Sequence, residues 1–238
     1  MTLQIKNGIL SGFTSPSDSE TLTVPAGIHT IGRDAFARSD LTGVHIPEGV
    51  EVIEEGAFYL CDRLRHVTLP RSLKTIGPMA FTNAALEALL LPDGLTEIGD
   101  EAFSCAFAGI RREKTAYMED IRFPTSLKKI GLLAFCSLNC RRVVLPEGLE
   151  ELGAGAFSGS DMEELVIPGS LKVIPERAFE FCGRLRKVRI CSGVEVISAD
   201  AFAECGELRE IQMDEGVKQI HQRAFFRCDK LGKIRKGD

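Results

Sequence analysis

No run of apolar residues in this 238-residue chain approaches the roughly 18–20 that a membrane helix requires, so no segment reads as membrane-spanning. A dominant charge is missing as well. Lys and Arg number 29 against 34 Asp and Glu, and a net charge of -5 gives no expectation of binding nucleic acid or an anionic membrane surface. Cysteine is sparse: eight in 238 residues is far from the density of a disulfide-stapled scaffold. The opening MTLQIKNGIL has no basic region followed by an apolar one, so no secretory signal is visible: either the protein stays inside the cell or the sequence is a trimmed one. Enzyme signatures are absent too. The chain has no phosphate-binding loop, no dinucleotide fingerprint after a strand and no His-Glu-x-x-His. GAGAFSGS (153–160) is glycine-rich but lacks the G-x-S-x-G of a nucleophile elbow.

What the chain does have is a rhythm. Ala-Phe pairs begin at Ala35, Ala57, Ala80, Ala102, Ala134, Ala156, Ala178, Ala201 and Ala224, with spacings of 22 or 23 except for one of 32. Around each pair a frame returns, V/L-x-x-I-G-x-x-A-F, then four or five residues, then L-x-x-V-x-L/I-P-x-G/S. Nine of the 14 phenylalanines and seven of the ten prolines occupy frame positions, which identifies a solenoid. A unit of this size cannot bury its apolar positions alone, so neighbours must stack and share one core. The segment LRHVTL (64–69) ends in period-2 alternation and reads as a short strand, closed by a proline that cannot continue the ladder. Ten such strands, counting LTVP (22–25) first, form one parallel sheet of about 43 Å at a spacing of about 4.8 Å. The Ala-Phe segment is expected to be a short helical or irregular arm.

The frame resembles the bacterial BspA-type leucine-rich repeats over nearly the whole chain, and IKNGILSGF resembles the cap that precedes such arrays. The resemblance implies an α/β repeat solenoid, a right-handed coil of about nine repeats behind an N-terminal hairpin cap. It also implies a surface-exposed or secreted protein used for adhesion and protein binding, which stands against the missing signal. The expected organisation is a cap and first strand over 1–27 and the array over 28–238, with an insertion at about 104–117. Asn7-Gly8 suits the type I′ turn of the cap hairpin. The last strand, KLGKIRKGD (230–238), leaves an edge that its basic residues protect by charge, with end-to-end dimerisation as the less favoured alternative to a monomer.

Cys61, Cys182, Cys205 and Cys228 each stand three residues after a repeat Phe, as small buried thiols; spacings of 23 make no metal clamp. His45 and His66 fall on neighbouring strands as diagonal neighbours, roughly 8 Å apart, too far for one metal ion, and His29 and His221 fall on turn and arm positions. No metal, cofactor or catalytic residue is expected. The candidate partner is a protein, met by the strand residues that point away from the core. Leu90, Val144 and Val166 make an outward apolar row interrupted by Arg122. Over the last five coils Arg142, Lys187, Arg189, Lys233 and Arg235 outnumber Glu164 and Glu210, which suits an acidic segment or plain strand solvation. Within the insertion, Phe107 and Tyr117 are candidate contacts, since MEDIRFP (118–124) resumes the frame and the excess is looped out. The reading is a non-catalytic binding scaffold, with self-assembly through the C-terminal edge as the alternative.

Overall fold

The computed structural model of the chain describes residues 2–14, 21–105 and 118–236. It opens with an antiparallel hairpin of β1 (Thr2–Lys6) and β2 (Ile9–Thr14). Asn7 and Gly8 both take positive φ, 50° and 72°, as the I′ turn requires. His29 fixes this cap to the first coil: its Nε2 lies 2.9 Å from the Asn7 carbonyl and its Nδ1 2.9 Å from Thr30 Oγ1.

The ladder expected from the L-x-x-V-x-L segments is present but broken. β3 (Thr21–Thr23), β5 (Gly43–His45) and β7 (His66–Thr68) form one parallel sheet. β10 (Met118–Arg122), β12 (Cys140–Val144), β14 (Glu164–Ile167), β16 (Lys187–Ile190), β18 (Glu210–Met213) and β20 (Lys233–Lys236) form another. Between them, the ALLLP segment of the fourth coil (88–92) forms no strand, so a single continuous sheet is corrected to two. His45 pairs with Thr68 and His66 with Gly43, which makes the histidines diagonal.

A second set of ladders runs along another side, where each V-x-x-I segment contributes two residues. β4 (Thr30–Ile31) pairs with β2 of the cap, and one such strand per coil follows. From Ile31 through Ile53, Ile76, Ile98 and Ile130 to Leu152 they make one sheet with the cap, and Ile174, Ile197 and Ile220 continue in a separate one. Two residues are too few to show alternation, which is why sequence periodicity missed this side.

The Ala-Phe arm is not helical, and the described residues contain no helix, so the α/β class is corrected to a β-solenoid of about nine turns. The reason lies in the backbone. Two residues in each of the first eight arms, such as Asp34 and Arg38 or Leu133 and Ser137, take positive φ, which interrupts helical propagation. Alternate N–H groups then leave the arm altogether. Asp34, Phe36 and Arg38 donate to the carbonyls of Glu55, Ala57 and Tyr59 on the next coil, at 3.1, 2.8 and 2.8 Å. The intervening Ala35, Ala37 and Ser39 donate back three residues within the arm.

Inside, the repeat phenylalanines stack in a single column. Ring centroids from Phe36 to Phe225 are 4.9–5.7 Å apart and nearly parallel, and Phe13 of the cap tops the column. Phe103 and Phe135, on either side of the insertion, keep 5.2 Å and 11°, so the extra residues leave the coil spacing unchanged. Alanine precedes each Phe because its methyl is buried, and from Ala57 onward its carbonyl accepts from the preceding coil. The frame glycines serve coil approach: a Cβ on Gly153 would lie 2.3 Å from the backbone of Gly131 and Leu132.

Candidate functional site

Strand register aligns the outward residues of the six-stranded sheet in two rows. One runs Arg142, Glu164, Lys187, Glu210, an alternation of sign at every strand. Opposite charges directly across neighbouring strands are mutually stabilising by about 0.2–1 kcal/mol a pair. Arg142 Nε, for example, lies 3.8 Å from Glu164 Oε2. The excess of basic residues read from the sequence is therefore largely offset in place. Asp214, on the turn after β18, lies 3.6 Å from Arg189, and Glu210 reaches Arg235 diagonally at 3.6 Å. Asp214 was overlooked because its position on a turn is remote in the frame from the strand residue it meets.

The second row runs Arg122, Val144, Val166, Arg189, Gln212, Arg235. Here Val144 is 39% exposed and Val166 partly so, and no charge separates them. Leu90 belongs to no ladder and stands 84% exposed, the most open of the large apolar side chains described. Arg122 links these residues: it lines one depression of about 420 Å³ with Leu90 and Asp93, and an adjoining one of about 490 Å³ with Val144 and Val166. Unlike Arg142, Arg189 and Arg235, it has no ion-pair partner among the described residues. The break in the ladder thus coincides with the most apolar part of the face. Phe123, Pro124 and Thr125, lining both depressions or their rim, follow the strand at its closing turn and were not singled out by alternation. Lys187 lies in the alternating row, away from this cluster, and Phe107 and Tyr117 lie outside the described residues.

The thiols sit where the frame puts them, and the structure supplies a bonding reason. Cys61, Cys182, Cys205 and Cys228 direct Sγ at the carbonyls of Phe36, Phe157, Phe179 and Phe202 one coil back, at 3.0–3.3 Å, and Ser160 Oγ does the same toward Phe135. The position therefore selects a small side-chain donor. Burial pushes the Cys61 thiol up, and for Cys205 and Cys228 the adjacent thiol in the ladder (Cys182 and Cys205, respectively) is the first cause of a further rise. Thiolate, the reactive form, is suppressed at these three positions, and Cys182 is wholly buried. In a thiol titration at pH 8, these four cysteines are expected to stay unreacted in the native protein and to react together on unfolding. Labelling of Cys205 at the rate of a free thiol would contradict this.

Two comparisons place this geometry among known proteins. The family model described as the BspA type leucine rich repeat region matches residues 11–108 and 113–232, in six copies. Among solved structures, a leucine-rich repeat protein from Bacteroides ovatus is similar over 99% of this chain and 69% of its own, at 26% identity and a TM-score of 0.64. A leucine rich cell surface protein from Faecalibacterium prausnitzii is 28% identical over 90% of this chain and 71% of its own, with a TM-score of 0.49. A Treponema pallidum (T. pallidum) leucine rich repeat protein shares the fold at 21% identity over 97% of this chain and 87% of its own, with a TM-score of 0.50. No curated protein matches the chain.

Proposed function

The chain belongs to the BspA-type leucine-rich repeat family, and from that premise we propose that it is a non-catalytic scaffold that binds a protein through the outward face of its six-stranded sheet and the adjoining fourth coil. The observation that carries this reading is the cluster of Leu90, Val144 and Val166 around Arg122, whose guanidinium has no ion-pair partner among the described residues. Apolar residues clustered on an open face around an arginine have the composition of an interface centre. The alternating row beside it supplies a polar border that holds register without bulk charge.

A photo-crosslinking residue at Val144 tests this directly, with one at Lys218, exposed on another side of the solenoid, as the reference. Crosslinks to a protein partner are expected at Val144 and not at Lys218, and Leu90→Glu combined with Val166→Glu should abolish them. The double variant should shift unfolding free energy by no more than about 0.5 kcal/mol, because Leu90 contributes nothing to the core. Equal crosslinking at both positions, or persistence in the double variant, would reject this face.

A further inference from the structure

The sixth coil leaves a gap in the outer surface of the arms. It has Ala154 and Gly155 where the coil before has Leu132 and Leu133 and the coil after has Glu176 and Arg177. A trench of about 340 Å³ results, with Ser158 also in its lining. Gly155 takes a φ of 61°, and a Cβ there would lie 2.7 Å from Leu133 Cδ2, so backbone conformation as well as small side chains keeps the space open.

The two walls differ in chemistry. Leu132, 42% exposed, and Leu133 form an apolar one. Glu176 and Glu180 form the other, and their carboxylates are poorly satisfied. Arg177 Nε stands 3.7 Å from the first and 3.9 Å from the second, beyond hydrogen-bonding distance, and no hydrogen bond reaches either carboxylate among the described residues. The acids of the next coil differ: Asp200 and Glu204 each accept a hydrogen bond at 2.9 Å, from Arg223 and Arg227. Burial pushes the Glu180 carboxyl up, as expected of a partly desolvated charge. Beside it, Phe181 is 56% exposed with a φ of 59°, a backbone region unfavourable to an aromatic residue. Ser137, Gly159 and Glu204 fill the same position in neighbouring coils, so the fold does not require a ring there.

We propose that this trench is a second docking surface, separate from the sheet face, for an extended segment of a partner protein in which basic and apolar residues alternate. Successive side chains of an extended chain point to opposite sides, so the apolar ones meet Leu132 and Leu133 while the basic ones meet Glu176 and Glu180. A lysine or arginine supplies the hydrogen-bonding cation that both carboxylates lack. An acidic segment would meet two carboxylates against one arginine, and a nucleic acid would meet the same repulsion. The trench shares no residue with the sheet-face cluster, so either surface can fail alone.

The probe is a fluorescein-labelled hexapeptide of alternating lysine and leucine, titrated with the whole protein and read by anisotropy. Saturable one-to-one binding is expected, weakening as salt is raised. Ala154→Leu fills the trench with the side chain that Leu132 already carries at that place one coil back, and it should weaken binding at least about tenfold while the protein stays folded. Glu176→Gln with Glu180→Gln should weaken it as much. The same change at Glu147 and Glu150, exposed after β12 and outside the trench lining, should leave it within about twofold. Peptides that alternate glutamate with leucine, or lysine with serine, should bind at least about tenfold more weakly, a check that leaves the protein untouched. Absence of saturable binding would overturn the proposal. So would equal binding of the glutamate–leucine peptide, or binding that Ala154→Leu and the paired glutamine variant leave unchanged. A concentration-dependent mass of the protein alone that Ala154→Leu abolishes would make a second copy the occupant and overturn it too.

Discussion

Replacing Phe135 by alanine is expected to lower the free energy of unfolding by about 4 kcal/mol, measured by denaturant titration. The ring is wholly buried and touches three others: Phe103 and Phe157 stacked at 5.2 and 5.3 Å, and Phe123 edge-on at 5.3 Å. Truncation removes the transfer free energy of the ring, leaves a cavity bounded by coils that cannot collapse, and deletes the aromatic pairs. The loss is a large fraction of a typical domain stability of about 5–15 kcal/mol. Because each coil contacts only its neighbours, a gap in the middle also weakens coupling between the two halves of the array. The transition should broaden or split. Phe225→Ala is the control, since that ring has one stacking partner and is partly exposed, and it should cost roughly half as much. Equal costs at the two positions would mean that the column does not act as the continuous spine of the fold.

Gly153→Ala should cost about 3 kcal/mol, and Gly77→Ala distinctly less. Both glycines follow the frame Ile or Leu, where the chain turns from the two-residue strand into the arm. At Gly153 the added methyl would lie 2.3 Å from the carbonyl carbon of Gly131 and the nitrogen of Leu132; these are backbone atoms, which cannot rotate away. At Gly77 the nearest backbone atoms, on Glu54 and Glu55, are 2.9 Å away, so a smaller shift relieves the clash. The position is not glycine everywhere: Glu54, Pro175, Ser198 and His221 occupy it in other coils. What matters is how closely the preceding coil approaches, and it approaches closest where two coils in succession carry glycine. The same denaturant titration decides the order. A larger effect at Gly77 would assign the glycines to chain entropy instead of coil spacing.

Much of the architecture could be read in the chain because each physical requirement recurs nine times. A Phe at every turn must stack or be exposed, and a Pro after an L-x-x-V-x-L segment, as in seven of the coils, must end a strand. A cysteine three residues after the Phe is at a fixed depth whatever its neighbours do, so the burial of Cys182, Cys205 and Cys228 followed from spacing. The candidate face was legible to the same degree: alternation alone puts Leu90, Arg122, Val144 and Val166 outward. Alternation says nothing about pairing between coils, however. Arg189 and Arg235 looked unbalanced until the turn placed Asp214 against one and the register placed Glu210 diagonally from the other.

By itself, then, the sequence determined the repeat, its core positions, the cap hairpin and the fact that the insertion does not disturb the count, since all of these depend on residue type and spacing along one coil. Tertiary structure decided what depends on two coils at once. A helical arm was a fair expectation from local pattern, but its alternate N–H groups find carbonyls on the next coil, and those bonds hold a backbone with positive φ at residues such as Asp34 and Leu133. The same holds for the break at the fourth coil. A hydrogen bond between coils has a direction and a partner about 22 residues away, and no window along the chain contains both.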